Sequence, residues 1–72
     1  MPPSRSYPIM LDRRGIERLS LVFTQGQLAH AFGISLPTYR RYVKGREPRE
    51  AITLYINSKV ETMLNEVREK LA

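Results

Sequence analysis

The sequence predicts an all-α fold, a compact bundle of four to five helices. Apolar residues recur at spacings of three and four along most of the chain, which is the period of a helix with one buried face. Capping residues, glycines and prolines stand at the ends of these periodic segments, as expected at helix boundaries. The 72 residues include no cysteine. A single domain is therefore predicted, with a core that depends on helix packing rather than on disulfides or a cysteine-based metal site.

The first ten residues are predicted to be a flexible N-terminal arm (residues 1–10). The first eight include three prolines and two serines, and proline disfavours helix. The first helix is predicted to begin near Asp12, whose carboxylate can accept hydrogen bonds from the amides of the first turn. Gly15 is expected to weaken this helix by about 1 kcal/mol relative to alanine. The apolar stripe of the helix is predicted to comprise Ile16, Leu19 and Phe23.

The next two helices are predicted from capping residues at both of their ends. Thr24 and Gln27 match a capping box at the start of the second helix, and Gly33 suits the left-handed position that ends it. Ser35 is predicted to cap the third helix, and Gly45 to end it. The buried face of the second helix is predicted to comprise Leu28, Ala29 and Phe32. The apolar positions of the third helix are predicted to be Tyr39, Tyr42 and Val43, with the tyrosine hydroxyls reaching the surface.

The last helical segment is predicted to start at Pro48, after which there is no further proline or glycine. Its apolar residues follow a helical spacing that allows one long helix. Alternatively, Ser58 and Glu61 form a second capping box and the helix breaks at Asn57. Asn57 and Ser58 are poor residues for a helix interior, and this favours the break.

Basic residues are concentrated in the first two thirds of the chain. The net charge is +5, and residues 1–49 hold nine of the twelve Lys and Arg but three of the seven Asp and Glu. This asymmetry indicates a polyanionic partner. A basic surface that is merely solvated is the alternative.

Membrane, enzyme and cofactor functions are not indicated. No apolar run approaches the roughly 20 residues that span a bilayer, and the N-terminus lacks the apolar segment of a signal peptide. A cytoplasmic protein without a membrane partner is therefore expected. No base accompanies Ser20 or Ser58, and His30 is the single histidine, so neither a nucleophile system nor a metal site is expected. No small-molecule substrate or cofactor is expected either, because the chain lacks a glycine-rich phosphate loop.

The segment TQGQLAHAFGISLPTYRRYVKG, residues 24–45, has the pattern of a helix-turn-helix, in which a tight turn containing glycine joins two helices. It resembles the Cro and phage-repressor class of helix-turn-helix proteins, the Xre-like family, over roughly residues 16–56. The matching residues are Thr24, Gln25, Leu28, Ala29, Gly33, Ile34, Ser35, Gly45 and the downstream Pro48.

The resemblance implies a five-helix fold whose third helix enters the major groove of double-stranded DNA. It implies a sequence-specific transcriptional regulator, a homodimeric repressor or autoregulator that binds an inverted repeat. The small size and this motif type suggest a regulator from a mobile genetic element, such as a phage, a plasmid or an anti-CRISPR operon. The helix-turn-helix domain is then assigned to residues 11–57, and the C-terminal helix, residues 58–72, to dimerisation. The alternatives are a DNA architectural or recombination accessory factor and an antitoxin-like protein-interaction module.

Carried over position by position, the resemblance also assigns the residues that face DNA bases. These are Ser35, Leu36, Pro37, Thr38, Arg40 and Arg41. Arg41 is predicted to be the main base reader, bidentate to a guanine. Leu36 and Pro37 stand where family members often carry polar base readers, so one of them is predicted to pack on a thymine methyl.

Phosphate contacts and a dimer surface complete the predicted site. The phosphate contacts are Thr24, Gln25, Lys44, Arg46 and Arg49, and Arg40 also suits this role. Arg5 in the N-terminal arm is a candidate for the minor groove, with a plain tail as the alternative. The residues predicted for the dimer interface are Ile56, Val60, Met63, Leu64, Val67 and Leu71. The same residues also suit the core of the domain itself.

Overall fold

Four helices follow one another in the computed structural model, which describes residues 9–71. They are α1 (Arg13–Leu19), α2 (Gln25–Phe32), α3 (Leu36–Lys44) and α4 (Glu50–Leu71). No strand occurs within these residues, so the predicted all-α bundle is confirmed. No helix between residues 9 and 71 combines the length and apolarity that crossing a membrane requires. Most of the predicted N-terminal arm, including Arg5, lies outside the described residues, as does the side chain of Leu71.

Helix α1 begins where the sequence predicts and ends earlier than the apolar stripe suggests. The Asp12 carboxylate accepts a hydrogen bond from the Gly15 N–H, with 3.0 Å between N and Oδ1. The helix ends at Leu19, and a tight turn follows in which the Val22 N–H donates to the Leu19 carbonyl at 3.0 Å. Phe23 therefore lies beyond the helix, where it is half-buried against the core.

Helices α2 and α3 begin and end at the predicted capping residues. Both bonds of the capping box form, from the Gln27 N–H to Thr24 Oγ1 at 3.1 Å and from the Thr24 N–H to Gln27 Oε1 at 2.8 Å. Gly33 adopts a left-handed conformation with φ of 72°, and Ser35 Oγ accepts from the Thr38 N–H at 3.3 Å. A short turn around Gly33 thus fixes the angle at which α3 leaves α2.

Substituting Gly33 with alanine is expected to destabilise the protein by about 1–2 kcal/mol, the cost of a left-handed conformation for a residue with a Cβ. No atom lies within 4 Å of the position that this Cβ would take, so the loss measures backbone strain alone. The matched control is Gly26→Ala in α2, which is expected to be neutral or stabilising by up to about 1 kcal/mol. Urea denaturation compares the two variants. Equal stability would show that the Gly33 turn does not require glycine.

Helix α4 is one continuous helix of 22 residues, so the predicted break at Asn57 is wrong. The Asn57 side chain is used in a tertiary contact with the segment that precedes α1. Its Nδ2 donates to the Met10 carbonyl at 3.0 Å, and its Oδ1 accepts from the Asp12 N–H at 2.8 Å. Ser58 does not cap a helix; its carbonyl accepts from Thr62 Oγ1 at 3.1 Å. The boundary expected between residues 57 and 58 therefore lies inside a helix.

The core lies where α4 packs against α1 and α2, and where α2 packs against α3. Its buried apolar residues are Leu11, Ile16, Leu19, Leu28, Ala29, Phe32, Tyr39, Ile56 and Val60. Ile56 and Val60 are 1% and 0% exposed, so these two residues of the predicted dimer surface are not available to a partner. Met63, Leu64 and Val67 are half-buried at the edge of the core.

The glycine in α1 allows a close approach between α1 and α4. A Cβ built on Gly15 would lie 2.5 Å from Val60 Cγ1 and 2.7 Å from Asp12 Oδ2. The weak helix propensity expected at this position is therefore offset by tight packing of the two helices.

Candidate nucleic-acid interface

Helix α3 has one face fixed in the core and the opposite face exposed. Tyr39 is 3% exposed, and its ring stacks on Phe32 with centroids 6.3 Å apart. Burial raises the pKa of the Tyr39 hydroxyl above its ordinary value. Tyr42 is half-buried against the same core. The prediction that both tyrosines pack inward is confirmed.

The exposed side of α3 carries Pro37, Arg41 and Lys44 at spacings of four and three. Residues at these spacings lie on one face of a helix. We call this set the α3 ridge. It places two cations about one helical turn apart on the side opposite to Tyr39. The ridge belongs to a helix of 9 residues. An α-helix with its side chains is about 10–12 Å in diameter, and the major groove of B-DNA, about 12 Å wide, admits a helix of this diameter.

The first turn of α3 differs from the prediction at Leu36. Leu36 is half-buried and packs against the core, so the predicted contact with a thymine methyl is left to the exposed Pro37. Ser35 Oγ donates to Thr38 Oγ1 at 2.8 Å while it also caps the helix.

Arg40 lies on the flank of α3 that faces the start of α2. Its Nε donates to Gln25 Oε1 at 3.1 Å, so two residues predicted to contact DNA are joined to each other. Gln25, Arg40 and Lys44 all border a groove between α1 and α3. The predicted phosphate contacts Thr24, Gln25, Lys44, Arg46 and Arg49 are all exposed.

Arg13 in α1 holds the end of α3 in place, a role that the sequence analysis missed. Its guanidinium donates from Nε to the Tyr42 carbonyl at 2.8 Å, from Nη2 to the Arg46 carbonyl at 3.2 Å and from Nη1 to Glu47 at 2.6 Å. Glu47 also accepts from the Leu11 N–H at 3.2 Å. Helix α1 therefore positions both the last turn of α3 and the segment that carries Arg46.

The sequence alone gives no indication that Arg13 contacts Glu47 and the end of α3. Arg13 lies 34 residues from Glu47, and neither helical spacing nor a capping motif connects residues so far apart. Both side chains occur in a chain rich in charge, where such pairs are ordinarily solvated.

Glu47 is expected to make stability depend on pH. The hydrogen bond from Arg13 and the Leu11 N–H lower the pKa of this carboxyl below its ordinary value of 4.5. Its stabilising contribution is therefore present above that value and is lost as pH falls through the lowered pKa. We expect Glu47→Gln to reduce the loss of stability on acidification from about pH 5 downward. Urea denaturation at several pH values measures the free energy of unfolding of each variant. Glu69→Gln, near the end of α4, is the control for the loss of one negative charge. The same change in both variants would contradict a specific role for Glu47.

Comparison with known proteins finds no family model, no curated protein and no solved structure that matches this chain. The resemblance to helix-turn-helix regulators therefore rests on the residues of the chain itself.

Proposed function

We propose that this protein is a sequence-specific DNA-binding transcriptional regulator that reads the major groove with α3. The observation that carries the proposal is the α3 ridge, with Arg41 and Lys44 exposed on a helix whose opposite face is fixed by the buried Tyr39. A rigid helix that projects arginine is suited to direct readout, since arginine binds the O6 and N7 atoms of guanine in a bidentate manner.

The charges around the ridge support binding to a polyanion. Four exposed cations lie on α3 or within five residues after its end: Arg40, Lys44, Arg46 and Arg49. Two acids adjoin these cations in sequence: Glu47 is paired with Arg13, and Glu50 is exposed next to Arg49. Contacts from such cations to phosphates would set the register of the protein on DNA, whereas Arg41 would supply sequence preference.

A homodimer belongs to the proposal because a single helix contacts only a few base pairs. Two copies related by symmetry would read half-sites about 34–36 Å apart. The half-buried Met63, Leu64 and Val67 supply the apolar residues for contact between the copies. In this role the protein would act as a repressor or autoregulator on an inverted repeat, as a regulator of a phage, a plasmid or an anti-CRISPR operon does.

The experiment that tests the function is selection of bound duplexes from a random DNA library, followed by binding measurements at several salt concentrations. The expected product is an inverted repeat bound by two protomers. With four cations on phosphates, the slope of log K against log salt is expected to be about −3 to −4 per protomer.

The other outcomes of this selection identify the alternatives. Binding without sequence preference but with bending of the duplex would indicate an architectural factor. The absence of duplex binding at low salt would contradict the proposal and favour a protein-interaction module.

A further inference from the structure

A groove of about 740 Å³ separates α1 from α3. Helix α1 packs mainly against α4, and α3 packs against α2. The hydrogen bond from Arg13 to the Tyr42 carbonyl joins α1 to α3 at one end of the groove. Ile16 and Tyr39 border the groove from the core, and Val43 borders it from α3. The surface inside is predominantly apolar.

The exposure of Val43 shows that residues 9–70, whose side chains the structure describes, do not fill this groove. The sequence predicts Val43 as an inward-facing position of α3, yet it is 40% exposed. Its side chain lies on the wall of the groove, beside Arg40 and Lys44. Ile16 and Tyr39 are each only 3% exposed, so Val43 is the residue that an apolar side chain from another molecule would cover with a gain in free energy.

The rim of the groove is positively charged. Arg14, Arg40 and Lys44 line it, and Glu17 is the acid that faces them. Arg13 also borders the groove, but it is paired with Glu47 at 2.6 Å. The groove therefore offers an apolar floor between cations, which is complementary to an acidic segment that carries an apolar side chain.

We propose that this groove binds an acidic protein segment with one apolar anchor residue, and that the bound segment displaces DNA. The displacement rests on the proposed function, since Arg40 and Lys44 would serve both partners. The groove itself fits a peptide better than a duplex. It is a concave site with an apolar floor, whereas the proposed DNA contact is the convex α3 ridge. Such a segment would act as an antagonist of DNA binding.

The test uses two short labelled peptides and fluorescence anisotropy. In the first peptide, glutamates flank a single phenylalanine; in the second, serine replaces the phenylalanine. The first is expected to bind about 10-fold or more tightly than the second, because burying an aromatic side chain supplies this difference. Equal affinity would show that the groove attracts any polyanion and would overturn the proposal.

Two variants of exposed residues locate the site. Val43→Ser is expected to weaken binding of the phenylalanine peptide about 10-fold while leaving the serine peptide unchanged. Leu54→Ser is the matched control, since Leu54 is exposed on α4 and does not line the groove. Thermal unfolding verifies that both variants fold. An unchanged affinity of Val43→Ser for the phenylalanine peptide would contradict the proposed site.

A competition measurement separates this inference from the proposed function. The phenylalanine peptide is expected to displace a selected duplex, and Val43→Ser to keep its duplex affinity. If the peptide binds the groove but no duplex binds the protein, the proposed function fails and the peptide site stands. If Val43→Ser weakens binding of the duplex as much as binding of the peptide, the groove belongs to the DNA interface and the inference fails. Simultaneous binding of peptide and duplex would overturn the antagonism.

Discussion

Replacing Arg41 with alanine is expected to weaken binding to a selected duplex by about 5- to 150-fold, the loss of one bidentate contact worth about 1–3 kcal/mol. Arg41 is exposed on the α3 ridge, so the substitution removes no buried packing and the stability of the protein is expected to stay within about 0.5 kcal/mol of the parent. The substitution should reduce the preference of the protein for the selected duplex over random DNA. Binding to random DNA should change little in comparison, because phosphate contacts supply most of the affinity for non-specific DNA.

The control for Arg41→Ala is Arg68→Ala, which removes the same charge from the last turn of α4. It is expected to weaken binding to the specific duplex and binding to random duplexes slightly and to the same extent. Arg41→Lys provides a second comparison, since lysine keeps the charge but lacks the planar fork that binds guanine. Equal losses for Arg41→Ala on specific and random duplexes would identify Arg41 as a phosphate contact. The assignment of the base reader would then be wrong.

Substitution of Gly15 with alanine is expected to destabilise the protein, although alanine is the better helix former. The new Cβ would lie 2.5 Å from Val60 Cγ1 and 2.7 Å from Asp12 Oδ2. Overpacking of this kind costs about 1–3 kcal/mol, against a gain of up to about 1 kcal/mol in helix propensity. These ranges leave a net loss of about 0–3 kcal/mol. A loss of about 1–2 kcal/mol corresponds to a fall in Tm of roughly 4–16 °C for a domain of this size.

A double-mutant cycle with Val60→Ala tests the cause of that loss. Val60 is 0% exposed, so Val60→Ala alone leaves a cavity and is expected to cost about 2 kcal/mol. In the double variant, the methyl group added at position 15 occupies part of the space vacated at position 60. The double variant is therefore expected to be more stable than the sum of the two single losses indicates. Strict additivity would show that contact between α1 and α4 does not determine the effect of Gly15.

Much of the fold follows from local features that can be predicted from the sequence. The capping box at Thr24, the left-handed Gly33 and the cap at Ser35 each involve residues three or four positions apart, and each forms as predicted. Interactions within one turn depend little on the rest of the chain, so their sequence patterns are reliable indicators of helix ends.

The errors arise where tertiary contacts determine the outcome. Asn57 is a poor residue for a helix interior, but its side chain bonds to the segment before α1 and the helix continues through it. Ile56 and Val60 share their helical face with Met63 and Val67, and the sequence does not indicate which of the four contact the core most closely. Their burial depends on where α1 and α2 cross α4.

The candidate site divides in the same way. Helical periodicity places Arg41 and Lys44 on the exposed side of α3 and Tyr39 on the buried side, as the structure has them. Periodicity does not predict whether Leu36 is buried, because this residue lies at the boundary between the two faces. It also does not predict that Arg13 bonds to the end of α3. Both depend on how α1 and α2 stand around α3.

The most direct test of the α3 ridge is a titration of the isotope-labelled protein with a selected duplex, followed by ¹H–¹⁵N NMR. The largest shifts are expected at the amides of Thr38, Arg41 and Lys44 and at the start of α2, while the exposed α4 residues Leu54 and Tyr55 stay unchanged. Shifts concentrated on α4, with the amides of α3 unaffected by the duplex, would contradict a ridge that reads DNA.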